Sequence, residues 1–280
     1  RGYPRSVNQL ALQALIAARQ PEAAQRAARE ALERFPDEPR LLIGLGEAFE
    51  AGGAPGKAAE QYLRAARIGP IRPDQLGQLL GAVLRDNDQR AEWFERFRSA
   101  AEADPNDLVA RFLLGVLHHY GNDFPASDAL LEPLEETFGF EDRLHIYLAM
   151  NAFNQGRSED ALARLDRAAE GASPDPDIYY CRAEIRRDTE REAARDDLRR
   201  YLAISDGNTI SNPEKQARVQ GLVAALERCL ETGEARCEGE WEHPRHVDTG
   251  GLGLRDVGLG GAALLLVGLG VWAIRRRRRG

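Results

Sequence analysis

The sequence predicts an all-α fold: about five to six helical hairpins stacked into a superhelix, a capping helix, and one C-terminal transmembrane helix. Three observations predict it. Apolar and small residues recur in a weak, in-register repeat of about 34 residues. Alanine, leucine, arginine and glutamate, all good helix formers, dominate the composition. Near the end, 257–274 carry no charge and five arginines follow at once. No alternating β-branched run is long enough for a sheet.

The repeat is clearest in 39–72. Leu42, Leu45, Gly46 and Phe49 fall at i, i+3, i+4 and i+7, one face of a helix. Ala58, Tyr62 and Ala65 share a face of the next helix. Gly46 lacks a Cβ, so the second helix approaches closely there, with Ala58 opposite and Tyr62 filling the space above. Gly52 and Gly53 end the first helix, Pro55 suits the first turn of the second, and Pro70 stops it. Neither helix buries its stripe alone, so stacked neighbours must supply the core.

The register continues on both sides. Leu12, Leu15, Ala24, Ala28, Ala31 and Pro36 hold it in 5–38. In 74–107 it is Leu80, Gly81, Leu84, Phe97, Ala100 and Pro105, with Trp93 at the usual small-residue site. In 108–141, Leu114, Gly115, Leu131 and Leu134 carry it, and Pro133 predicts a kink in the second helix. In 142–175 it is Leu148, Ala149, Ala161, Leu165, Ala168 and Pro174, and 176–206 form a degenerate sixth unit. An amphipathic helix over about 213–231, with Val219, Leu222, Val223, Leu226 and Leu230, predicts the cap.

Leu45, Gly46, Phe49, Ala58, Tyr62, Ala65 and Pro70 match, in type and spacing, the helix–turn–helix signature of a tetratricopeptide repeat. The chain resembles that family over about 1–231. The resemblance implies a docking surface for protein partners, with the first helix of each pair lining a concave groove. On the second and third repeats that groove reads as polar: Arg40, Glu47, Glu50, Gln75, Gln78 and Arg85. On the fourth and fifth it reads as an apolar, aromatic strip of Val109, Phe112, Val116, His119, Tyr120, Ile146, Met150 and Phe153, edged by Arg143 and Asn154. Such a strip suits an amphipathic helix or an extended peptide. The alternative is that several of these side chains pack between adjacent helices. Some members of the family clamp a peptide's terminal carboxylate with lysine and asparagine; Ile43 and Glu47 occupy the comparable face here and do not support that clamp.

The C-terminus divides into a linker over 232–256, a transmembrane helix over 257–274 and a basic tail over 275–280. The uncharged stretch is about 27 Å long as a helix, just enough for a hydrocarbon core of about 30 Å. Arg275, Arg276, Arg277, Arg278 and Arg279 favour a cytoplasmic end, with Trp272 at the interface. The solenoid over 1–231 then faces the periplasm of a bacterial inner membrane. That topology calls for an export signal, and Arg1 in place of a methionine fits either its removal or a sequence that starts further in. Two lysines among 38 basic residues point to a GC-rich, bacterial source. The tail also resembles the tripartite sorting signals of exported bacterial proteins, with Thr249-Gly250-Gly251-Leu252-Gly253 as a loose glycine motif. A permanent anchor and a cleaved address are both open.

Setting aside the five tail arginines takes the net charge from −7 to −12, so the body repels nucleic-acid phosphates. Cys229 and Cys237 flank a turn-like stretch and either form a disulfide across the end of the cap or remain free thiols; Cys181 is left over as a small buried residue. With His243 and His246 the two cysteines lack the close-paired spacing of a structural zinc site. No phosphate loop, haem motif or nucleophile elbow appears. The sequence therefore predicts no catalysis, cofactor or metal. It predicts a membrane-anchored scaffold or assembly subunit whose partners are proteins of a membrane or envelope complex. A cleaved sorting substrate and an accessory domain of an enzyme complex are the alternatives.

Overall fold

The computed structural model describes residues 5–68, 73–138, 142–171, 175–205 and 213–233. Among these, all regular structure is helical: α1 (Arg5–Ala17), α2 (Pro21–Arg34), α3 (Pro39–Ala51), α4 (Pro55–Ala66), α5 (Pro73–Arg85), α6 (Arg90–Ala103), α7 (Leu108–Tyr120), α8 (Phe124–Leu131), α9 (Glu135–Phe138), α10 (Asp142–Asn154), α11 (Ser158–Ala169), α12 (Pro176–Arg186), α13 (Arg191–Ser205) and α14 (Pro213–Thr232). A 3-10 turn, Glu132–Leu134, joins α8 to α9. Successive first helices begin at residues 5, 39, 73, 108, 142 and 176, which reproduces the repeat period. Prolines open α2, α3, α4 and α12, where a missing N–H leaves no helical bond unmade. Pro36 and Pro105, at the repeat ends, each lie two residues past a helix end, and Pro70, the expected stop, lies outside the described residues. Gly53 follows α3 with φ +73°, a conformation that favours glycine.

The described residues divide into two compact units, one running to Glu102 and one from Ala103 onward. In the first unit, α3 packs on α4 through Leu42, Leu45 and Phe49 against Ala58, Tyr62 and Ala65, all nearly or fully buried. Gly46 sets their approach: a Cβ there would lie 2.4 Å from Tyr62 Cε1. The small residue thus opposes the tyrosine ring itself. Trp93 fits its site because space is made beneath it. Its indole N–H donates to Asp86 Oδ2 at 2.8 Å, and that carboxylate oxygen sits where a Cβ on Gly56 would come within 2.4 Å. Phe97 stacks on the indole from one side, and Arg96 covers it at 4.9 Å.

In the second unit, the second helix of the fourth repeat breaks at Pro133, as expected of a residue without an N–H. Leu131, before the break, packs where a Cβ on Gly115 would be 2.6 Å away. One core then runs through α10 to α14: Met150, Ala161, Leu165, Ile178, Leu198, Val219, Leu222 and Leu226. Full burial of each large apolar side chain stabilises by about 1.5–3 kcal/mol. The outer layer is ionic. Asp197, 5% exposed, accepts from Arg182 Nε at 2.9 Å and from Arg186 Nη1 at 3.0 Å, tying α12 to α13. None of the described helices is long and apolar enough to cross a membrane. The expected span 257–274, the arginines after it and most of the linker lie outside the described residues.

Candidate functional site

The apolar strip expected on the fourth and fifth repeats is largely interior. Val109, Phe112, Val116, His119, Ile146 and Met150 are all buried, at 6% exposure or less. Phe112 packs edge-on against Phe138 and Tyr147. His119 Nδ1 lies 2.6 Å from Asn151 Oδ1, and Asn151 Nδ2 donates to Ser127 Oγ and Asp128 Oδ1 at 2.9 and 2.7 Å. The physical reason is three-sided packing. A first helix inside a stack meets its own partner and other repeats as well, so its apolar stripe is wider than one face. Of the expected strip, Tyr120, Phe153, Asn154 and Arg143 reach the surface; the first three are partly buried and Arg143 is exposed.

Arg143 belongs to a polar network the sequence reading did not assemble. Its Nε donates to Asp175 Oδ2 at 2.8 Å and its Nη1 to Asp177 Oδ2 at 3.1 Å. Lys215, near the start of α14, donates to the other oxygen of Asp177. The lysine ammonium also lies 5.2 Å from the Tyr180 ring and 5.4 Å from the Tyr201 ring, a cation held between aromatic faces. Asp175 caps α12 by accepting from the Asp177 N–H at 2.9 Å, and its own N–H donates to Asp142 Oδ2 at 2.7 Å. Side chains from α10, α12 and α14 therefore meet around one carboxylate. The sequence signal was the Asp-Pro-Asp start of α12, where two carboxylates flank the N1 proline.

The electrostatics follow from this pairing. Burial opposes the charge on Arg143, but Asp175 and Asp177 outweigh it and hold the guanidinium charged above its ordinary range. Lys215 is likewise opposed by burial and raised by Asp177. Burial pushes Asp177 up, Lys215 and Arg143 pull it down, and the net lies below the usual carboxylate value. At Asp175 burial dominates and the net is upward. Arg143 and Lys215 thus stand against Asp175 and Asp177, with Asp142 bonded to the Asp175 N–H and a half-exposed guanidinium edge. This is an arrangement for holding helices and presenting hydrogen-bond donors.

In the first unit, Arg40, Ile43, Glu47 and Glu50 share one face of α3 at i, i+3, i+7 and i+10. Arg40 is exposed and the other three are partly buried. Glu50 receives Tyr62 Oη at 3.2 Å and pairs with Arg85. Glu47 accepts from Gln78 Nε2 at 3.4 Å. Burial raises the Glu47 pKa, and neighbouring Glu50 adds to the rise. Leu12, Gln13, Arg40, Ile43, Gly44 and Glu47 enclose a recess of about 220 Å³.

Cys229 is buried on α14 and disulfide-bonded, whereas Cys181 is a buried free thiol. Cys237, His243 and His246 lie outside the described residues. Among the described residues no group of three His, Cys, Asp or Glu side chains could hold a metal ion.

A tetratricopeptide repeat family model matches residues 10–73, which hold most of the first two helix pairs. The fold is similar to that of a tetratricopeptide repeat protein from Parabacteroides merdae ATCC 43184, with a TM-score of 0.54 and 16% identity over 78% of this chain and 84% of that one. A looser match, TM-score 0.46 at 17% identity, is to the APC/C hetero-tetramer Cut9–Hcn1, covering 76% of this chain and 42% of that one. No curated protein matches. The described chain is thus an all-α, tetratricopeptide-type stack of helix pairs.

Proposed function

We propose that this protein is a membrane-anchored periplasmic scaffold that holds or assembles protein subunits of a membrane or envelope complex. The observation that carries the docking part is the first-helix face. On both units it bears polar and charged side chains, Arg40 and Glu47 on one and Tyr120, Arg143 and Asn154 on the other, each set on a packed core. Docking needs no catalysis, because many modest contacts along such a face supply the binding energy. The anchoring part rests on the uncharged 257–274 and the five arginines after it.

Purification from native membranes in mild detergent, with intact masses of every co-purifying chain, tests this reading. A full-length chain with stoichiometric membrane partners supports it. A chain shortened near Gly251 and travelling alone supports the second reading, a sorting substrate released from its tail, which the Gly250-Gly251 start of that tail favours. Protease added to spheroplasts should digest the helical units and spare the arginine tail. Protection of those units reverses the topology.

A further inference from the structure

We propose that the recess between α1 and α3 is a subsite for one basic side chain, lysine or arginine, of a docked partner. The inference rests on the docking reading and adds the chemistry of what docks. At about 220 Å³ the recess falls below the roughly 300–1,000 Å³ typical of small-molecule pockets, a scale that suits a side chain. Its lining combines apolar Leu12, Ile43 and Gly44 with the polar side chains of Gln13, Arg40 and Glu47. Glu47 differs from its neighbour. Glu50 is matched by Arg85 and the Tyr62 hydroxyl, whereas the hydrogen-bond partner of Glu47 is the neutral amide of Gln78. Among the described residues no cation stands within ion-pair distance of Glu47.

A half-buried carboxylate without a counter-charge favours a cation. A lysine or arginine supplies one on an aliphatic stem that lies along Leu12 and Ile43. Arg40 sets the direction. It lies two turns from Glu47, roughly 10 Å along the axis at 1.5 Å per residue, too far to neutralise it. It also repels a cation from the opposite end of the recess. An anionic side chain meets the reverse problem at Glu47, and a wholly apolar one leaves the carboxylate without a partner.

The test uses arrayed hexapeptides, N-acetylated and C-amidated, with each position varied in turn, probed with the detergent-solubilised full chain. Wild type should prefer lysine or arginine at one position by at least about tenfold over norleucine, the size expected of a hydrogen bond to a charged group. Glu47→Gln should abolish that preference while circular dichroism stays unchanged. Glu60→Gln removes the same charge from an exposed carboxylate on α4 and should leave the preference intact. A wild-type array without basic preference overturns the proposal. So does a preference that survives Glu47→Gln, or one lost equally in Glu60→Gln, which marks general attraction to an acidic body. If partners still co-purify while the preference is absent, the recess inference falls and the docking reading stands. If neither peptides nor partners bind, both fall.

Discussion

Two glycines in the first unit separate packing from conformational freedom. Gly46 faces the Tyr62 ring, which is 1% exposed and bonded to Glu50, so an added Cβ has nowhere to go. Gly46→Ala should destabilise by about 1–3 kcal/mol in urea unfolding, the usual range for overpacking. Gly77 lies inside α5 with open space where a Cβ would be. Gly77→Ala should instead stabilise by about 0.5–1 kcal/mol, because alanine loses less freedom in a helix. Equal effects of the two changes would refute this reading of Gly46. Phe112 sits at the same scale. Since it is 4% exposed and wedged against Phe138 and Tyr147, Phe112→Ala should cost about 3–5 kcal/mol. Partner loss in that variant therefore reports unfolding, and docking is better probed at exposed Arg40.

At the scale of elements, α14 is held by more than its apolar stripe. Lys215 links it to Asp177 and the Tyr180 ring of α12 and to the Tyr201 ring of α13. Asp177→Asn should weaken the docking of α14 by about 1–3 kcal/mol and speed cleavage within 213–232 under limited proteolysis; an unchanged cleavage rate there rejects the latch. Acid acts on the second unit in two windows. His145, on α10, faces Glu135, Arg164, Arg167 and Asp142, and His118, on α7, faces Asp123; burial holds both below the ordinary 6.5. A folded-state value below the unfolded one means their stability is present above pH 6.5 and is lost as pH falls through the folded values. Asp177, held below 3.8, gives way only at lower pH, and raised Asp175 acts with the opposite sign. Thermal midpoints of wild type should therefore fall between about pH 6.5 and 5. A His118→Gln/His145→Gln variant should show a shallower slope there, and an identical slope removes the histidines from the account.

For the whole molecule, the covalent state of the cysteines carries the prediction. Cys229 is disulfide-bonded and Cys181 is free, so alkylation in denaturant without reductant should label Cys181. We expect the peptide map to join Cys229 to Cys237; labelling of Cys237 excludes that pairing.

The sequence by itself determined the helical class, the 34-residue period and, to within a residue, where each helix pair begins, because these depend on local chemistry: proline at helix starts, glycine after helix ends and spacing along one helix. The break at Pro133 was legible for the same reason. Only the tertiary structure decided which side of each first helix is open. Phe112, Val116, Ile146 and Met150 looked like a surface strip when each helix was assigned a single buried face, and packing from several directions took them inside. The cluster of Arg143, Asp177 and Lys215 was equally hidden, since 34 residues part the first two and 38 the last two. Charge pairing across repeats depends on how helices stack, and no local spacing in one chain encodes it.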